Sequence, residues 1–104
     1  MLSEEIRKEI RPRLEAVFRD RFHGALLFGS EARDQAQDDS DVDVMVLLKE
    51  PVELGSDLEK IVEALYPLQL RVDRPIHAFP VSSKAFKAGR YSLYRRAQRE
   101  GFYL

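Results

Sequence analysis

Leu26-Leu27-Phe28-Gly29-Ser30, then ten polar-rich residues, then Asp41-Val42-Asp43-Val44-Met45-Val46-Leu47-Leu48, is the stretch that decides the fold. An apolar run ends in Gly-Ser, and a second apolar run opens with two carboxylates. Asp41 and Asp43 are spaced i, i+2, so on a strand both side chains leave the same face. Their Cβ atoms then lie roughly 6–7 Å apart, close enough for both carboxylates to turn onto one metal ion. Val42, Val44 and Val46 take the opposite face, as a core-facing set should. Paired acids at the end of an apolar strand are costly to leave uncompensated, so a cationic group is expected to meet them.

If the Gly29-Ser30 turn shares a site with the aspartates, strand one must end where strand two begins. The two strands are then antiparallel neighbours. The ten-residue link agrees, because a parallel crossover normally needs about a dozen residues or more. Around this pair, a helix is expected from Ser3 to about Phe22, with Ser3 as N-cap and a stripe of Ile6, Ile10, Leu14, Val17 and Phe18. Pro12 should kink it or split it near Arg11. Strand one spans Gly24 to Phe28, and Ser30 can cap a short helix through about Gln37. Ser56-Asp57-Leu58-Glu59 has the form of a capping box before Leu58, Ile61, Val62 and Leu65, in a helix that should stop or kink at Pro67. Ile76 to Val81 reads as a third strand, and Ser92 to Glu100 as a last helix with Gly101 at C′. Phe102-Tyr103-Leu104 is an apolar tail expected to pack on the body or on a partner.

A chain of 104 residues is read as one domain with one core, over 1–104. Nothing approaches a membrane span, and charges from Glu4 onward leave no signal-peptide core. The absence of cysteine excludes disulfides and thiolate metal sites and fits a cytoplasmic protein. A formal net charge of −1 argues against direct nucleic-acid binding. The chemistry left is on the central stretch. A Gly-Ser turn lets backbone amides and a hydroxyl converge on a phosphate. Opposite it, a carboxylate pair suits Mg²⁺, which binds through one or two carboxylates plus substrate phosphates. Together they suggest transfer of a nucleotidyl group from a nucleoside triphosphate.

Phe28-Gly29-Ser30-Glu31-Ala32-Arg33, the ten-residue spacing and Ser40-Asp41-Val42-Asp43 closely resemble the signature of the minimal nucleotidyltransferases (MNT). That family lies in the DNA polymerase beta-like nucleotidyltransferase superfamily. The resemblance implies an α/β (α+β) class, with a small mixed sheet flanked by helices in a palm-like fold. It implies Gly29 and Ser30 as the nucleotide-binding turn and Asp41 and Asp43 as catalytic metal ligands for Mg²⁺, with Mn²⁺ as an alternative and ATP as substrate. Arg33 matches a recurrent basic position that touches phosphate or braces the aspartates; a surface pair with Asp34 or Asp38 is the competing reading. The family usually carries a third carboxylate on its third strand. Here Ile76-His77-Ala78-Phe79 puts His77 in that slot, where it can act as a base, ligate a softer metal or serve only structure. A register that uses Asp73 is the alternative.

Minimal members are typically paired with a HEPN protein in toxin–antitoxin modules, as antitoxins that adenylylate the toxin. The absence of an acceptor domain agrees with an acceptor on another molecule and counts against a small-molecule acceptor. The rival of a different class is a catalytically impaired nucleotide- or partner-binding module. His23 is read as structural, preceding strand one. The cations Lys84, Lys87, Arg90, Arg95, Arg96 and Arg99, with Tyr91, Tyr94 and Tyr103, form a solvated face or a partner surface, and an oligomer is one possibility.

Overall fold

The computed structural model describes residues 2–29, 32 and 40–104. In chain order the elements are helix α1 (Glu4–Phe18), a 3₁₀ turn (Arg19–Arg21), strands β1 (Phe22–Phe28) and β2 (Val42–Leu48), helix α2 (Leu54–Gln69), strand β3 (Ile76–Ser82), helices α3 (Ser83–Lys87) and α4 (Ser92–Glu100), and strand β4 (Phe102–Tyr103). The sheet order is β3-β2-β1-β4. β1 runs antiparallel to β2 and β4, while β2 and β3 are parallel. This is the small mixed sheet flanked by helices that the family resemblance implies.

β2 is buried on both faces. Val42, Val44, Val46 and Leu48 pack with Ile6, Ile10, Leu14 and Phe18 of α1 and Ile61, Leu65 and Leu68 of α2. Met45 and Leu47 pack with Leu26, Val81, Phe86 and Ala97 beneath α3 and α4. That double burial explains why β2 reads as a continuous apolar run and not as strict alternation. Each such aliphatic side chain contributes about 1.5–3 kcal/mol on burial.

Helix α1 starts as expected, with Ser3 accepting from the Ile6 amide at 3.2 Å. It then runs unbroken through Pro12. Pro12 sits on the exposed side, and continuous burial of Ile6, Ile10, Leu14 and Phe18 outweighs its penalty of about 3 kcal/mol. Val17 is not part of the buried stripe and is exposed. The helix ends at Phe18 and not near Phe22, because Arg19 takes a positive φ of 53°. β1 therefore begins at Phe22, where the helix was expected to end, and includes His23, which was expected to precede the strand.

The capping box at Ser56 is also not used. α2 begins at Leu54, and Asp57 turns inward. Its carboxylate accepts from Arg21 Nη1 and Nη2, each at 2.9 Å, and from the Glu53 amide at 3.0 Å. Pro67 lies on the exposed side, so α2 continues to Gln69 and buries Leu68, while Val62 faces out. The short helix α3, absent from the sequence reading, is capped by Ser82, whose hydroxyl accepts from the Ala85 amide at 3.1 Å.

After α4, Gly101 is extended (φ −73°, ψ 157°), so it is not the left-handed C′ residue the pattern predicted. Crowding requires it instead. A Cβ there would lie 2.5 Å from both the Ala97 carbonyl oxygen and Leu26 Cδ1. The tail packs on the body: Phe102 and Tyr103 pair with Leu27 and Leu26, and the Leu104 amide donates to Ala25 O at 2.9 Å.

The Arg21 guanidinium, aided by the Glu53 amide, holds the Asp57 carboxyl below the usual carboxylate range against the opposing effect of burial. Asp57→Asn should lower stability by about 2 kcal/mol near neutral pH, measured from urea midpoints. A depressed folded pKa contributes stability above the unfolded value and loses it as pH falls through the folded one. The gap between wild type and variant should therefore close on acidification; a gap independent of pH would remove the ion pair as its cause.

Candidate active site

Two strand pairings assemble the site. Phe28 of β1 stands opposite Asp43, and His77 of β3 stands opposite Asp43 on the other side. β1 ends here while β2 and β3 both begin here, so the Gly29 turn, the two aspartates and the histidine converge at one end of the sheet. Asp43 shares a face with Met45 and Leu47, the side covered by α3 and α4. The valines take the other face, as the i, i+2 spacing predicts.

Among the described residues, one group of side chains is arranged to hold a cation. Asp41, Asp43 and His77 each offer a ligand atom, all within 4.8 Å of one another. His77 Nδ1 lies 3.5 Å from Asp43 Oδ1. Asp41 and His77 are exposed and Asp43 is half-buried. The floor is aromatic: the His77 ring lies 5.6 Å from that of Phe79, which meets Phe28 edge to face at 5.8 Å. Burial pushes the Asp43 carboxyl up, and the Asp41 charge adds to the effect, while His77 opposes it.

Gly29 has a φ of +72°, and a Cβ on it would lie 2.9 Å from Asp43 Oδ2. The turn therefore rests directly against the carboxylate, and its residue type is restricted by conformation and by space together. Ser30, Arg33 and the short helix expected through Gln37 lie outside the described residues.

The donor set fits a divalent cation. Mg²⁺ takes oxygen ligands at about 2.0–2.1 Å, so ligands across the ion stand about 4.2 Å apart, and a small inward turn of exposed side chains closes the present spread. The imidazole adds a ligand that suits transition ions better than Mg²⁺. The Asp73 register is not adopted: β3 starts at Ile76, leaving Asp73 in the preceding bend.

The sequence reading passed over Arg74 and Gln69. Arg74 is buried, and its Nε donates to Ser40 O at 2.8 Å. Its Nη2 reaches Ser40 Oγ at 3.3 Å and Asp41 O at 3.5 Å. Gln69 Nε2 donates to Arg74 O at 2.9 Å, and Gln69 Oε1 accepts from the Ile76 amide at 2.7 Å. The legible signal was a cation beside the strand carrying the third ligand, but no periodicity marks it. His23 is on β1, at the far end of the sheet, with Nδ1 at 2.6 Å from Ser83 Oγ. The cations of α3 and α4 and the link between them are exposed.

Residues 13–90 match the family described as "Polymerase beta, Nucleotidyltransferase", and the chain belongs to that family. Over 69 residues it is 35% identical to a protein of Methanocaldococcus jannaschii provisionally named a protein adenylyltransferase, covering 66% of this chain and 69% of that protein. The fold superimposes on a chain from a toxin–antitoxin crystal structure with AMP-PNP, with a TM-score of 0.59 and 16% identity over 90% of this chain and 68% of the other. At that identity the likeness concerns the fold.

Gly29→Ala should lower stability by about 1–3 kcal/mol, through a strained φ and the contact with Asp43. Combining it with Asp43→Ala should give less than the sum of the single losses, since the contact is then gone. Full additivity in denaturation would mean that the turn does not bear on the carboxylate. Asp43→Asn should raise stability at neutral pH by about 0.5–1 kcal/mol. Because the folded carboxyl has a raised pKa, its ionised form costs stability above that pKa, and the cost disappears below the unfolded value. The gain should accordingly shrink in acid, which thermal melts across pH would register.

Proposed function

We propose that this member of the Polymerase beta, Nucleotidyltransferase family is an MNT-type adenylyltransferase. In this reading it moves AMP from ATP onto a HEPN toxin, acting as the cytoplasmic antitoxin of a toxin–antitoxin pair. The observation that carries the reading is the convergence of Asp41, Asp43 and His77 beside the Gly29 turn. The adenylyltransferase name of the Methanocaldococcus relative and the toxin–antitoxin setting of the AMP-PNP structure favour this acceptor class.

Asp41 and Asp43 would hold the divalent cation, Mg²⁺ or Mn²⁺. Once bound, it would neutralise phosphate charge and stabilise the departing pyrophosphate. Gly29 and Ser30 would orient the triphosphate, with Gly29 leaving room for close approach of backbone to phosphate. Arg33 is assigned to the same phosphates. In the transfer, an acceptor hydroxyl oxygen bonds to the α-phosphorus and the bond to pyrophosphate breaks. His77 is the group assigned to take the hydroxyl proton.

His77 also favours a second reading. An imidazole where the family resemblance implies a carboxylate suits a module that binds nucleotide or partner and transfers poorly.

Labelled ATP with Mg²⁺ or Mn²⁺ and a genomically adjacent HEPN protein separates the two. Label should appear on the HEPN protein and fall by about 10²-fold or more with Asp41→Asn or Asp43→Asn, a magnitude typical of losing electrostatic stabilisation in the transition state. His77→Asp should strengthen Mg²⁺ binding if His77 fills the acidic slot. Metal and ATP binding without label on any acceptor would favour the binding module, and unchanged Mg²⁺–ATP affinity in both aspartate variants would overturn the site assignment.

A further inference from the structure

We propose that Arg74 is a positioning residue for the Asp41 metal ligand, holding it through the backbone of Ser40 and Asp41. The inference rests on the metal reading of the site and extends it to a side chain outside the Asp41, Asp43 and His77 group.

The two aspartates are mounted differently. Asp43 sits within β2, so ladder pairing with Phe28 and His77 sets its position. Asp41 precedes the strand, which begins at Val42, and among the described residues no rung of either ladder includes it. Its carboxylate can be no better placed than the peptide that carries it. Arg74 reaches that peptide from the bend before β3: Nε donates to Ser40 O at 2.8 Å, and Nη2 approaches Asp41 O at 3.5 Å. The adjoining Val42 amide donates to Pro75 O at 2.8 Å, so the residue after Arg74 grips the residue after Asp41. Arg74 is anchored in turn, since Gln69 on α2 donates to its carbonyl and accepts from Ile76. A rigid path therefore runs from helix α2 through Gln69 and Arg74 to Asp41.

The residue type follows from this geometry. A buried cation requires acceptors, and the planar guanidinium can serve two neighbouring carbonyls from one fixed fork. Lysine offers a single point of donation on a flexible stem, so it can hold one carbonyl but not fix the plane of the turn.

The test measures Mn²⁺ binding alone, by the electron paramagnetic resonance of free Mn²⁺, alongside thermal melting. Arg74→Gln should weaken Mn²⁺ binding about tenfold to a hundredfold, the range for residues that orient metal ligands, and Arg74→Lys should weaken it less. Asp57→Asn, remote from the site, should lower the melting temperature and leave Mn²⁺ affinity unchanged. Adding Arg74→Lys to Asp41→Asn should weaken binding no further, because the ligand that Arg74 positions is already lost. Wild-type affinity in the folded Arg74 variants, or a loss that adds fully to that of Asp41→Asn, overturns the role. If Arg74→Gln does not fold, Arg74→Lys decides by the same criteria. If Asp41→Asn weakens binding and the Arg74 variants do not, this inference alone fails. A wild-type protein that binds no Mn²⁺ overturns the metal reading and this role with it.

Discussion

Asp43 occupies a rung shared by three strands, opposite Phe28 on β1 and His77 on β3, and the site depends on that registration. A slip of one residue in either pairing would send the strand's buried side chains to the wrong face. The cores on the two faces of β2 therefore specify the same register that brings Asp43 to Gly29 and His77. Folding and assembly of the site are one event, because no separate loop conformation has to bring Asp43 and His77 together.

That economy has a thermodynamic cost. A half-buried carboxylate beside a second one, over a floor of Phe28 and Phe79, lies in surroundings that favour its neutral form. His77 compensates only in part, from an exposed position 3.5 Å away. Surroundings that disfavour the ionised acid also strengthen its attraction for a divalent ion, since fewer waters compete. The same burial that weakens the fold locally thus sharpens the demand for a cation.

The sheet was largely legible from sequence because its signals are local. The apolar run with i, i+2 acids marked β2, and the short link marked β1 as its antiparallel partner. His77 stands opposite Asp43 because β3 pairs with β2 from its first residues. What pattern reading missed has a common cause, the override of local propensity by tertiary burial. The expected α1 ran to about Phe22, yet Phe22 belongs to β1. Ser56 and Glu59 looked like a cap, yet Asp57 between them is drawn inward by Arg21. Pro12 and Pro67 looked like breaks, yet both lie on exposed faces of helices whose other faces are buried. Gly101 looked like a left-handed cap but is set by contact with Leu26 and Ala97.

The two arginines overlooked by periodicity perform the same physical task at opposite ends of β2. At its C-terminal end, the Arg21 carbonyl accepts from the Lys49 amide at 2.9 Å, and Arg21 Nη2 donates to Pro51 O at 2.8 Å. At its N-terminal end, Arg74 holds Ser40 and approaches Asp41. Carbonyls just outside a strand have left the ladder and need other donors if they are withdrawn from water. Long side chains that donate along a plane meet that need across a gap, and each comes from a neighbouring connection. Arg21 closes its clamp on the buried Asp57 carboxylate. Arg74 fixes the peptide that leads into β2, through the Ser40 carbonyl and its approach to that of Asp41. One arginine thus ties the exit of the strand to helix α2, and the other ties its entry, where Asp41 stands, to the segment that leads into β3.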